Sequence, residues 1–187
     1  MKMKRTMIVG AIGSGKTYLA KNLSRRLSVE YVDLDELYWL PGWRERTRED
    51  FEMLIENEIS KSQWILCGNY FFVLPTILAN VDTVIWLDYP LWICFWRCFK
   101  RTMRRILKRE KFCNGNYETF GGAFLSKDSI LLRLVRSYGC RKKRYEKLIR
   151  DPRYKKIRFF RFVSQSKLNS WLKGLGIKNE SDVENRT

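Results

Sequence analysis

Residues 10–17 read Gly10-Ala11-Ile12-Gly13-Ser14-Gly15-Lys16-Thr17, a complete G-x-x-x-x-G-K-[ST] phosphate-binding loop. The apolar run Met7-Ile8-Val9 precedes it, and Leu19, Leu23 and Leu27 follow at four-residue spacing. The motif therefore sits between a strand and a helix, the context its chemistry needs. Gly10, Gly13 and Gly15 lack a Cβ, so the backbone can curl and aim its N–H groups inward at phosphate oxygens. The positive end of the following helix adds to that field. Lys16 is placed for the β- and γ-phosphates and the Thr17 hydroxyl for a magnesium ion. The loop predicts a nucleoside triphosphate site with Mg²⁺. No N-K-x-D guanine reader occurs in the chain, which favours ATP over GTP.

The chain has 187 residues, 45% hydrophobic and 14% aromatic, enough for a real core and too apolar for disorder. The longest apolar stretch, residues 84–99, is interrupted by Asp88, Pro90 and Arg97, so neither a membrane span nor a membrane partner is expected. The basic start Met1 to Arg5 runs straight into the phosphate-loop unit and does not read as a secretory signal; a cytoplasmic location is expected. Five cysteines (67, 94, 98, 113, 140) include no C-x-x-C pair, which argues against a zinc site or a disulfide framework. Histidine is absent, which excludes His-based triads and leaves carboxylates and basic residues for any chemistry.

Charge is unevenly divided. Residues 1–90 hold 11 Lys/Arg against 12 Asp/Glu, and residues 91–187 hold 26 against 8. Such asymmetry points to a polyanionic partner, a nucleotide lid or a solvated basic face. Nucleic acid is therefore a candidate partner, particularly through Arg141-Lys142-Lys143-Arg144 and the stretch from Arg153 to Arg161.

Alternating patterns predict strands at 6–9, 30–34, 64–67, 83–87 and 156–163. Helices are predicted at 16–28, from Thr47 as N-cap to Ser60, at 91–111, 128–149 and 166–174. The Gly-containing stretch 112–127 reads as a mobile loop. Strands separated by helices give an α/β fold: a parallel sheet covered on both faces, with ligands at the carboxyl ends of the strands. Residues 1–176 read as one P-loop kinase-like domain with a lid over about 112–140, and 177–187 as a polar tail.

Four loops converge on that rim: the phosphate loop, Asp33-Leu34-Asp35, Gly68-Asn69-Tyr70 and Asp88-Tyr89-Pro90. Asp33 is placed to hold magnesium through water, and Asp35 to accept a proton from an acceptor hydroxyl. In the helix from Leu91, Trp92, Phe95, Trp96, Phe99, Met103 and Ile106 share helical spacing and are expected to pack on the sheet. Arg97 and Arg101, near the strand end, are expected to grip phosphates or stack on the base, whereas Arg105 and Lys108 read as solvated. Arg133 and Arg136, three apart, are placed to close over the triphosphate. Trp39, Trp43 and Tyr70 flank the acceptor loops. Aromatic walls suit a planar or sugar-like acceptor, and tryptophans capping the core are the other use of the same residues.

Three further stretches extend the pattern: Leu34-Asp35-Glu36-Leu37-Tyr38-Trp39-Leu40-Pro41-Gly42-Trp43, Trp64-Ile65-Leu66-Cys67-Gly68-Asn69-Tyr70 and Leu87-Asp88-Tyr89-Pro90. With the phosphate loop they resemble the adenylate-kinase-like P-loop proteins called "DNA topology modulation" proteins, over about residues 5 to 175. The resemblance implies a three-layer P-loop NTPase fold of the nucleoside-monophosphate-kinase type, with five parallel strands in order 2-3-1-4-5 and a helical lid. It implies nucleotide contacts from Arg97 and Arg101, seven and eleven residues after Pro90, and from Ser164-Gln165 beside the base. It also implies acceptor contacts from Gly68, Asn69 and Tyr70. The Asp33-x-Asp35 pair is similar to the shikimate-kinase arrangement, where one Asp serves magnesium and the next the acceptor. The group often carries Asp where this chain has Cys67, which implies that Asp33 takes over the magnesium shell here. The expectation is an ATP-dependent kinase for a small hydroxyl- or phosphate-bearing acceptor. A nucleic-acid-binding or nucleic-acid-phosphorylating ATPase and a nucleotide-binding regulator with little turnover are the alternatives.

Overall fold

A computed structural model describes residues 3–126 and 129–176; the expected polar tail and the expected helix start at Asp128 lie outside the described residues. Strands β1 (Arg5–Gly10), β2 (Tyr31–Asp33), β3 (Trp64–Cys67), β4 (Thr83–Leu87) and β5 (Arg158–Phe162) form one parallel sheet. Its order is β2-β3-β1-β4-β5, as expected. Central β1 sets Ile8 opposite Cys67 on one side and Gly10 opposite Leu87 on the other. Every residue of β3 and β4 is buried, so both faces of the sheet need cover.

Helices α1 (Lys16–Leu27), α5 (Leu91–Lys108) and α7 (Gln165–Gly174) supply one face, packing Leu19, Leu23, Cys94, Cys98, Leu168 and Leu172 around Ile8, Ile65 and Ile85. On the other face α3 (Arg48–Ser60) and α4 (Leu74–Asn80) pack Phe51, Ile55, Leu74 and Ile77 against Met7, Val9, Leu66 and Val84. Thr47 caps α3 as expected, its side chain accepting the Asp50 N–H at 3.2 Å. Helix α6 (Ile130–Arg150) belongs to both cores: Leu131 and Leu134 join the first and Tyr145 the second, so it crosses between them. Its N-cap is Ser129, which accepts the Leu132 N–H. The loop expected after β2 instead forms the five-residue α2 (Leu34–Tyr38) and a hairpin of Trp39–Leu40 with Arg44–Glu45. No helix among the described residues is long and apolar enough to cross a membrane.

Two expectations are overturned. In α5 the fully buried residues are Cys94, Cys98 and Thr102, while Trp92 and Trp96 are 70% and 53% exposed. Of the expected packing face, Trp92, Phe95 and Trp96 point outward, whereas Phe99 is half-buried against the first core. The cause is a close approach: a Cβ on Gly13 would stand 2.2 Å from the Cys94 carbonyl oxygen, so the α5 backbone lies against the phosphate loop and only small side chains fit between. Residues 112–126 are not a free loop either. Phe112 pairs with Asn116, the Asn114 amide donates to the Glu36 and Trp39 carbonyls, and Asn116 donates to that of Leu40.

Asp82 ties the amino ends of three strands together, accepting from the Lys4 and Arg5 N–H groups, the Thr83 hydroxyl and the Arg158 guanidinium. Burial pushes its carboxyl up, but those hydrogen bonds outweigh burial and hold it below the usual carboxylate value of 3.8. A depressed folded value contributes stability above the unfolded value, lost as pH falls through the folded one. Asp82→Asn is therefore expected to lower the melting temperature at pH 7, and the gap from wild type should close only below about pH 4, in the acid carboxylate range. Thermal unfolding scans of both proteins across pH 2–7 check this; a gap independent of pH would show that the ionised carboxylate is not what holds the strands.

Candidate nucleotide and acceptor site

The phosphate loop leaves β1 at the centre of the rim. Gly13 and Gly15 have φ of 78° and 92°, left-handed values that favour glycine, and the Ser14 N–H bonds the Ala11 carbonyl at 3.1 Å. Helix α1 starts at Lys16 with Gly15 as N-cap and no side-chain cap, so its first N–H groups face the loop. The Ser14 hydroxyl is buried with no hydrogen-bond partner. Lys16 folds back on its own loop, Nζ donating to the Gly10 and Ala11 carbonyls at 3.2 and 3.1 Å. Burial lowers the Lys16 ammonium below its ordinary value, against the pull of Asp35 and Asp33. Uncapped N–H groups, an orphan hydroxyl and a desolvated cation at one place fit a bound triphosphate.

A hydrogen-bonded chain runs from this loop to the acceptor side. The Thr17 hydroxyl donates to Asp33 Oδ2 at 2.7 Å, the Asp35 N–H to Asp33 Oδ1 at 3.1 Å, and the Tyr70 hydroxyl to Asp35 Oδ1 at 2.7 Å. Burial, then the Asp35 charge, raises the Asp33 carboxyl above its ordinary value; the Thr17 hydroxyl opposes this. Cys67 lies beneath, its thiol pushed far up by burial and by Asp33, so it presents no negative charge. Among the described residues no three His, Cys, Asp or Glu side chains gather to hold a metal. Thr17 with Asp33 fits Mg²⁺, which takes one or two protein ligands and completes its shell with phosphate oxygens and water.

Gly68 and Asn69 shape the site from beneath. A Cβ on Gly68 would lie 2.6 Å from that of Leu34, so glycine is what lets β3 end against α2. Asn69 clamps the mouth of the phosphate loop: Nδ2 donates to the Gly10 carbonyl at 2.6 Å, and Oδ1 accepts the Gly10 N–H at 3.4 Å and the Tyr145 hydroxyl at 2.8 Å. Tyr145, on α6, was not foreseen. Neither was Arg141, one turn earlier, which lies in the electrostatic reach of Lys16, Asp35, Tyr70 and Arg133. In the sequence Arg141 stands in a basic run that points to nucleic acid. Its four-residue offset from Tyr145 on one helix was the available signal.

The remaining arginines divide. Arg97 bonds Gln165 Oε1 at 3.3 Å and lies 5.2 Å over the Tyr89 ring. Both border a cavity of about 310 Å³ with Ser14, Tyr18 and Asn169. Ser164 caps α7 beside it. The Arg101 Nε is buried without a hydrogen-bond partner. Arg105, expected in solvent, instead pairs with Glu118 at 3.1 Å and covers the Phe112 ring at 3.8 Å, because residues 112–126 fold back over α5. Lys108 is exposed as expected. Arg133 lies 5.9 Å over Trp39, whose edge meets Trp43; Arg136 is exposed one turn on. The Trp43 indole donates to the Tyr117 carbonyl, so this ring holds the 112–126 segment. Asp88 is held by Arg161 at 2.6 Å and by Lys142 at 3.6 Å, a structural pairing at the end of β4.

No family model and no curated protein sequence matches the chain. Solved structures do. A shikimate kinase from Acinetobacter baumannii in complex with shikimate is similar with a TM-score of 0.57 at 16% identity, over 95% of this chain and 97% of that one. The chain shares the fold of that structure. Shikimate kinases from Bacteroides thetaiotaomicron and Aquifex aeolicus give TM-scores of 0.54 and 0.52 at 16% and 14% identity, covering 93% and 94% of this chain and 97% and 99% of theirs.

Mg·ATP at a hundredfold its dissociation constant is expected to stabilise the wild type by about 2.7 kcal/mol, read as a raised melting temperature. Lys16→Ala should abolish the shift. Asn69→Ala, which frees Gly10, should weaken ATP about tenfold, and Tyr145→Phe about fivefold, one net hydrogen bond. Unchanged ATP affinity in Asn69→Ala would show that the loop holds its shape without the clamp.

Proposed function

We propose that the protein is a small-molecule kinase that transfers the γ-phosphate of ATP to a small hydroxyl- or phosphate-bearing acceptor. The observation that carries this reading is the hydrogen-bonded chain Thr17–Asp33–Asp35–Tyr70, which joins a triphosphate cradle to a carboxylate open to solvent. Bound Mg·ATP would supply the phosphoryl group and a cation to neutralise it. The protein's own part is positioning and charge.

The N–H groups of residues 10–17 and Lys16 hold the phosphates, and Thr17 with Asp33 the magnesium. Arg97 and Gln165, with Ser164 at the edge, receive the base in the cavity beside α7. Tyr70 occupies one oxygen of Asp35, leaving Oδ2 to align an acceptor hydroxyl and take its proton. Arg101, Arg133 and Arg136 add positive charge on the lid side as the phosphoryl group moves. Arg141, within electrostatic reach of Asp35, favours an acceptor with an anionic group, and the Trp39 and Trp43 rings favour one with a flat or sugar-like body. Gly68 and Asn69 keep the floor in shape. The motif resemblance to adenylate-kinase-like proteins supports the same reaction class.

The test is ATP with a panel of sugars, hydroxy acids, nucleosides and nucleotides, with phosphorylated product detected by mass spectrometry. Against the acceptor that works, Asp35→Asn is expected to lower kcat by about 10²–10⁴-fold with ATP affinity kept. Arg141→Ala should raise KM for an anionic acceptor about tenfold or more and leave an uncharged analogue unaffected. Absence of product across the panel, with ATP bound, would overturn the kinase reading.

A further inference from the structure

The outer face of α5 is apolar and, along most of its length, exposed. Trp92, Trp96, Phe99, Met103 and Leu107 recur at three- and four-residue steps and so share one side of the helix. Trp92, Trp96 and Leu107 are 70%, 53% and 75% exposed. The patch widens across neighbouring elements. Phe99 meets Phe124 and Phe124 meets the exposed Phe120, while α6 adds Leu132 and Val135, both exposed. Leu91, Trp92, Phe95, Trp96 and Val135 line an open trough of about 820 Å³. A contiguous apolar surface rimmed by polar residues marks an interaction face.

The rim is basic. Lys100 and Arg104 flank the stripe on α5, and the exposed Lys108, Arg109 and Lys111 continue it. Lys100 Nζ sits 5.2 Å over the Trp96 ring, so charge and aromatic surface are interleaved. The occupant must be apolar at its centre and anionic around it. A second copy answers poorly, since each chain carries a formal net charge of +17. Single-stranded nucleic acid answers less well than lipid, because Trp96 already stacks its face on Phe99, and Leu107, Leu132 and Val135 give bases nothing to stack on.

We propose that this face seats the protein on an anionic lipid surface, with α5 lying in the headgroup plane and spanning nothing. Tryptophan rings at the headgroup level, aliphatic side chains below them and Lys/Arg beside the phosphates are the arrangement of an interfacial helix. Arg97, turned toward Gln165 and Tyr89, stays with the nucleotide cavity, so docking and nucleotide binding use different sides of the same helix. The proposal stands independently of the kinase reading.

The experiment is co-sedimentation of the full chain with phosphatidylcholine vesicles and with mixed phosphatidylcholine–phosphatidylserine vesicles, at low salt, with tryptophan emission recorded. Partition into the mixed vesicles alone, with a blue shift, is expected. W92A/W96A should lower partition on the order of tenfold or more, for two large apolar side chains withdrawn from the interface. K100Q/R104Q should lower it on the order of 25-fold, about fivefold for each basic residue lost. Both variants replace exposed side chains, and each is compared at a melting temperature matching wild type; the two fail independently. No partition into mixed vesicles, or partition unchanged in both variants, overturns the proposal. So does a wild-type dimer that W92A/W96A dissociates, which would assign the face to a second copy. A single-stranded oligonucleotide that displaces the vesicles and loses affinity in W92A/W96A would assign it to nucleic acid.

Discussion

Between the phosphate loop and α5 there is space for a glycine hydrogen and nothing larger, a Cβ on Gly13 falling 2.2 Å from the Cys94 carbonyl oxygen. Much of the site follows from that contact. It brings the α5 backbone to the rim, so that Arg97 in the second turn reaches Gln165 and the cavity beside the loop. It demands small side chains on the inner face, which Cys94, Cys98 and Thr102 provide. Trp92, Phe95, Trp96 and Leu107 are left outside.

The rim is also an electrostatic compromise. Lys16 loses hydration and makes up for it with two backbone carbonyls and the nearby Asp33 and Asp35. Asp33 in turn is desolvated beside a second carboxylate and is held by the Thr17 hydroxyl. Each group is unfavourably placed alone and tolerable in the set, the condition in which an incoming phosphate and its cation find the most to gain.

The parts of this architecture legible in the sequence are those coded locally. The phosphate loop, the Thr47 cap and the short buried strands each declare themselves within a few residues, and strands alternating with helices leave few ways to build the sheet. The Asp33–Asp35 spacing was readable for the same reason. What escaped were pairings across long stretches of chain. Tyr145 meets Asn69 over 76 positions, and Asn114 meets Glu36 over 78. The face of α5 was misjudged because hydrophobic spacing reports which residues share a side. It does not report how close the neighbouring backbone will come. Arg105 was misread because its partner Glu118 lies beyond the helix, in a segment whose glycines suggested looseness.

The asparagines of that segment carry a mechanical consequence. Asn114, Asn116 and Tyr117 are stitched to Glu36, Trp39, Leu40 and Trp43 by five hydrogen bonds, each worth about 1 kcal/mol net. The segment and the hairpin beside Asp35 therefore travel as one body. Swinging one outward drags the other or tears the seam.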